Sequence, residues 1–180
     1  MPLTPQTKAF VDEIAASGAK HFYQMTVADA RAAMDELKGM AGEAADMPVE
    51  DVMLAVKDGV ILLRVMTPIE SPRGVILFVH GGGWVVGTVD VLEDVGRQLA
   101  SATDCVVVMP DYRLAPKHPF PGPVEDCVAA MNWAAARFNL PLIVAGNSAG
   151  GNLAAVLAVK ARGAGGPELA AKLLVYPVAD

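Results

Sequence analysis

Four uninterrupted apolar runs, Val75 to Val79, Cys105 to Met109, Leu142 to Ala145 and Leu173 to Tyr176, constrain the fold of this 180-residue chain more than any other feature. A strand with one wet face alternates apolar and polar residues, whereas an unbroken apolar run is buried on both faces. Between the runs lie Leu92 to Ala102, Pro123 to Phe138 and Ala149 to Ala161, each rich in helix formers and free of proline beyond its first turn. This alternation predicts right-handed βαβ units and an α/β fold, a mostly parallel sheet with helices on both faces.

Ahead of that pattern, Val49 to Val56 and Val60 to Met66 read as two strands joined through Asp58-Gly59, a dipeptide suited to a tight antiparallel hairpin. The first 40 residues read as two helices. The second opens with Thr26 as N-cap and Asp29 three positions on, and places Ala30, Met34 and Leu37 on one face. Gly39 to Pro48 carries glycines and a proline without apolar period and is the expected linker. The chain thus divides into a helical cap segment, 1–45, and an α/β core, 46–180. The cap segment could roof a pocket or simply pack on the core, and sequence leaves both open.

A hydrophobic fraction of 53% with 19% charged residues suits a sheet covered twice. The net charge of −6, with no stripe of Lys or Arg, argues against nucleic acid as a partner. No apolar run approaches the ~20 residues needed to span a bilayer, so no membrane span is expected. Lys8, Asp12, Glu13 and Lys20 interrupt the start where a secretion signal would be apolar, and a cytoplasmic location is expected. Cys105 and Cys127 read as buried thiols rather than a disulfide or a metal site.

In an open α/β sheet, functional groups collect beyond the carboxyl ends of the strands. After Leu142 to Ala145 comes Gly146-Asn147-Ser148-Ala149-Gly150-Gly151, a Gly-x-Ser-x-Gly turn between strand and helix. Such a turn is too sharp for a Cβ at the flanking glycines and lifts the serine hydroxyl above the sheet. After Val75 to Val79 comes His80-Gly81-Gly82-Gly83-Trp84, whose glycines leave backbone N–H groups unobstructed for a developing oxyanion. Either motif alone is compatible with an ordinary glycine turn. Their pairing at the ends of different strands points to acyl transfer.

Together with Asp111-Tyr112-Arg113-Leu114-Ala115-Pro116 and the Pro119-Phe120-Pro121 to Glu125-Asp126 lead into a helix, these motifs resemble the hormone-sensitive-lipase-like branch of the α/β-hydrolases, a group of carboxylesterases and lipases. The order agrees from about Val49 onward, through Tyr176-Pro177-Val178-Ala179-Asp180. The resemblance implies that Ser148 attacks an ester carbonyl, that the N–H groups of Gly82, Gly83 and Ala149 form the oxyanion hole, and that His80 and Gly81 support that loop. It implies structural roles for Asp111 and Arg113, and makes Trp84, Phe22 and Tyr23 candidates for lining the substrate pocket. It implies no metal and no organic cofactor, and a small-molecule ester as the partner.

Three departures stand out. Asn147 replaces the family's usual aspartate before the nucleophile, and Lys117 replaces a glutamate. More consequentially, no histidine follows Ser148, although in this fold the acid and then the histidine come after the serine. Asp180 comes too early to be the triad acid, and His21, His80 and His118 do not occupy the family's catalytic position. Without that histidine a serine triad loses on the order of 10⁶ in kcat. The expectation is therefore an α/β-hydrolase fold incomplete at its C-terminus, with a carboxylesterase-like site and little turnover. An exposed apolar edge at Leu173 to Val178 is expected to favour a homodimer or edge-mediated association. The alternative is a non-catalytic protein that holds a small ligand in the same pocket.

Overall fold

The computed structural model describes residues 2–40, 42–163 and 165–179. Helix α1 (Pro5–Ala16) and helix α2 (Val27–Asp35) lead, with a 3₁₀ turn at Phe22–Gln24 between them. The core follows as β1 (Val49–Val56), β2 (Gly59–Met66), β3 (Gly74–Val79), α3 (Glu93–Thr103), β4 (Cys105–Asp111), α4 (Gly122–Phe138), β5 (Leu142–Asn147), α5 (Ala149–Gly163) and β6 (Leu169–Val175). Among the described residues no helix is long and apolar enough to cross a membrane.

The six strands form one sheet in the order β1-β2-β4-β3-β5-β6. Strand β1 pairs antiparallel with β2 and β2 antiparallel with β4, while β3, β4, β5 and β6 are mutually parallel. From β3 the chain steps to β4 on one side and then to β5 on the other. The direction of winding therefore reverses between β3 and β5, where open α/β sheets form their ligand crevice.

Successive side chains of β3 alternate between two apolar layers, as strand geometry requires. Val75, Leu77 and Val79 join Val106, Val108 and the inner faces of α4 and α5, where Ala130, Ala134, Ala154 and Ala161 keep the helices close to the sheet. Ile76 and Phe78 face the opposite way, into a layer with Val107, Met109 and Ala100 of α3. Cys127 lies in the first layer and Cys105 in the second, and both are buried free thiols.

Two boundaries differ from the sequence reading. In the hairpin Val56 pairs with Gly59, so the turn residues are Lys57 and Asp58, and the positive φ of 62° falls on Asp58. Asparagine and aspartate tolerate that conformation better than other non-glycine residues, which is why the dipeptide signal was displaced by one position. Strand β6 begins at Leu169 rather than Leu173, because pairing with β5 starts at Leu142 and continues past a register shift. At the sheet edge Leu173 and Val175 remain 51% and 38% exposed.

One buried ion pair links the halves of the sheet's top. Asp126, fully buried in the first turns of α4, accepts from the Nε and Nη2 of Arg113 at 2.9 and 2.7 Å and from the Arg113 backbone N–H at 3.0 Å. The same guanidinium donates to the carbonyls of Lys57 and Asp58 and so pins the hairpin turn. The Asp111 carboxylate accepts the N–H of Val89 and so holds a different part of the loop. Removing one member of such a pair strands a buried charge. Arg113→Met is expected to lower stability by about 3 to 5 kcal/mol in urea unfolding, far more than an exposed arginine would.

Candidate active site

Ser148 occupies the single residue between β5 and α5 and adopts a left-handed conformation, φ 52°. A Cβ on Gly146 would sit 2.6 Å from the Val79 carbonyl oxygen, and one on Gly150 would collide with that same oxygen. The turn is therefore wedged against the end of β3, and only glycine fits on either side of the serine. The elbow is clamped from its other flank as well. The Ser148 N–H donates to Val175 O at 3.0 Å, the Val178 N–H donates to Ser148 O at 3.2 Å, and Asn152 Nδ2 donates to Val178 O at 3.0 Å.

The loop after β3 meets this elbow directly. The Gly81 N–H donates to Asn147 Oδ1 at 3.0 Å, and a Cβ on Gly81 would lie 3.2 Å from Ser148 Cβ. Gly82 has φ 116° and Gly83 φ 58°. The Gly82 carbonyl turns away to accept the N–H groups of Val85 and Val86, both at 3.0 Å. Among the described residues no acceptor takes the N–H of Gly82, Gly83 or Ala149. Backbone donors left unpaired near a serine hydroxyl are what an oxyanion site requires, and the start of α5 adds its positive dipole end.

His80 is fully buried and stacks on Tyr112, with ring centroids 4.3 Å apart. Its Nδ1 lies 2.7 Å from Gly81 O, and a carbonyl can only accept, so Nδ1 carries the proton of a neutral imidazole. The Tyr112 hydroxyl donates to His80 O at 2.9 Å and fixes the loop from behind. Burial pulls the His80 pKa down to about 4, against the opposing hydrogen bond to Gly81 O.

Elbow and loop form the floor of a cavity of about 1070 Å³. Its walls include Phe10 and Ile14 of α1, Phe22, Tyr23, and Ala30 and Met34 of α2, together with Val85, Val86, Val91 and Leu92. Among the described residues that line it, none is an Asp, Glu, Lys, Arg or His. Arg31 holds α2 over the loop, its Nε donating to Val85 O at 2.9 Å and its Nη2 to Ala115 O at 3.1 Å.

The structure therefore brings Ser148, Gly81, Gly82 and Gly83 to one cavity, with Phe22 and Tyr23 on its wall. Trp84 is a correction. Its backbone is left-handed, φ 60°, and its ring packs with Leu114 against the apolar layer under α4 and α5 instead of lining the cavity. None of His21, His80 and His118 lines the cavity, and Asp180 lies outside the described residues. Sequence reasoning did not single out Arg31 or Tyr176 as site residues. Tyr176 directly follows the last apolar strand, so the strand-end rule carried a signal for it, whereas nothing local marks Arg31.

The neutral state of His80 has a pH consequence. In the unfolded chain its pKa returns to about 6.5, so below that pH the unfolded state binds a proton that the native state refuses. Stability from this group is fully present above pH 6.5 and is lost as pH falls toward 4, an effect of about 3 kcal/mol. Urea midpoints measured across that range should show this slope in the native protein, and His80→Asn should lack it.

Comparisons with known proteins agree with this geometry. A family model described as alpha/beta hydrolase fold matches residues 76–180. The carboxylesterase NlhH of Mycobacterium tuberculosis is 39% identical over 158 residues, covering 82% of this chain and 49% of that protein. An arylesterase of Saccharolobus solfataricus is 30% identical over 175 residues, covering 90% of this chain and 56% of that protein. A solved structure of a hyperthermophilic esterase from the archaeon Pyrobaculum calidifontis superposes with a TM-score of 0.90 at 36% identity, covering 99% of this chain and 60% of that one. The chain spans about half the length of the curated relatives it matches. With its motifs, its sheet order and these likenesses in agreement, the chain belongs to the α/β-hydrolase family, on the hormone-sensitive-lipase-like branch.

Proposed function

We propose that this chain carries the nucleophile and oxyanion hole of a carboxylic ester hydrolase. The observation that supports the reading best is the contact between two strand ends, which sets a left-handed Ser148 beside the unpaired N–H groups of Gly82, Gly83 and Ala149. In the proposed reaction Ser148 Oγ bonds to the ester carbonyl carbon and the carbonyl π pair moves onto oxygen, where the three N–H groups hold it. Collapse expels the alkoxide, which takes up the proton lost by the serine, and water then reverses the sequence to release the acid. Each aligned donor contributes roughly 10²- to 10³-fold to such a step. Among the described residues the cavity wall carries no formal charge, which suits an uncharged ester, and residues 1–45 serve as its cap.

A base for Ser148 is not among the three histidines placed here, so the reading is tested with a supplied one. Incubated with a fluorophosphonate and imidazole, the chain is expected to be labelled stoichiometrically at Ser148, and Ser148→Ala not at all. Absence of labelling would count against a nucleophile. Without added base, hydrolysis of short p-nitrophenyl esters is expected to match the Ser148→Ala control.

A second reading, a protein that binds a small ligand without turning it over, is supported by the apolar lining that Phe10, Ile14, Phe22 and Met34 give the cavity. Thermal stabilisation by an ester that is recovered intact, with no Ser148 labelling, would favour it.

The exposed apolar edge of β6 further supports association between copies through that strand. Sedimentation velocity should show a dimer or larger species, and Leu173→Lys should shift the population toward monomer. A monodisperse native monomer would remove this part of the proposal.

A further inference from the structure

We infer that Tyr176 binds the ligand through its hydroxyl proton, that Asn147 frees this proton for the purpose, and that the site thereby prefers esters carrying a hydrogen-bond acceptor in the arm next to the reacting carbonyl. Three observations support the assignment. Tyr176 lies on the cavity wall with Asn147 and Ser148. It sits between Val175 and Val178, whose backbones are both bonded to Ser148, so its position relative to the nucleophile is fixed from both sides. Its backbone is left-handed, φ 36°, a conformation that a tyrosine adopts only when its surroundings hold it there.

The direction of one hydrogen bond decides the rest. Asn147 Oδ1 takes the N–H of Gly81, a backbone group that can only donate, and this fixes which end of the amide faces which way. The Nδ2 end therefore points at Tyr176 and donates to its oxygen at 2.9 Å. The phenol oxygen acts as acceptor in that bond, so its own proton is left over. Among the described residues no acceptor takes it. Donation from the amide also polarises the phenol and strengthens the hydrogen bond it can give. Tyr176 is 69% exposed, so water takes that proton in the free protein, and an acceptor atom on a bound ligand replaces the water. An aspartate at 147 would keep the acceptor for Gly81 but would draw the Tyr176 proton to its second oxygen. Asn147 is thus a positioning residue whose amide nitrogen sets the polarity of the wall.

The inference rests on the proposed ligand site at Ser148, but its test does not use serine reactivity. Binding of phenyl methoxyacetate and of its methylene isostere, phenyl butyrate, is measured by calorimetry in the Ser148→Ala background. The ratio of the two dissociation constants cancels general effects on cavity shape. Tyr176→Phe and N147D should each shift this ratio against the methoxyacetate by about 2- to 10-fold, the span of one net hydrogen bond. A purely structural role would weaken both esters together and leave the ratio unchanged, which would overturn the inference. It would also fall if Tyr176→Phe shifted the ratio and N147D did not, or if neither ester bound. Failure of Ser148 labelling, by contrast, would remove the nucleophile and leave this comparison standing.

Discussion

The close approach of the β5–α5 turn to the end of β3 is the constraint on which the rest of the site depends. Side chains at Gly146 and Gly150 would occupy the space of the Val79 and His80 carbonyls, so the two strand ends can meet only where the turn is bare. That meeting sets Ser148 in its left-handed conformation and brings the glycine loop within van der Waals reach of its Cβ. Because β3 and β5 flank the point where the winding reverses, no crossover helix covers the groove between their carboxyl ends.

Support for that contact comes from several sides, each by a different kind of interaction. His80 and Tyr112 form a buried stack behind the glycine loop, with the imidazole kept neutral because a charge there would be desolvated without compensation. Asn147 ties the loop to the elbow in front. Arg31 reaches from α2 to the carbonyl of Val85, whose N–H in turn caps Gly82. Helix α2 and the glycine loop after β3 are thereby coupled, although α1 itself contributes no buried residue and meets the cavity only through its apolar face.

The ionic interactions lie outside the cavity and hold its frame. Arg113 and Asp126 fasten the loop after β4 to α4 and to the hairpin turn. Arg64 of β2 pairs with Asp51 across the hairpin and with Asp90 and Glu93 at the approach to α3. Charge thus serves to fix loops to the sheet, and among the described residues none of the cavity lining carries a formal charge.

The parallel strands, the helices between them and the family were legible in the sequence, because burial on both faces removes alternation in β3, β4 and β5 and helix formers cluster locally, whereas the apolar run of β6 proved largely exposed at the sheet edge. Thr26 capping α2 through the Asp29 N–H is of the same local kind. What only the tertiary structure decided involves residues distant in the chain. Arg113 pairs with Asp126 of α4, Trp84 turns to the core rather than the cavity, and Tyr176 meets Asn147. A one-residue displacement of the hairpin turn likewise depended on the pairing of whole strands. Local pattern specifies which elements form, since it reflects what each backbone segment can bury. Which side chains then face one another follows from the strand order and the angles of the turns, and the amino-acid pattern of either partner alone does not contain that information.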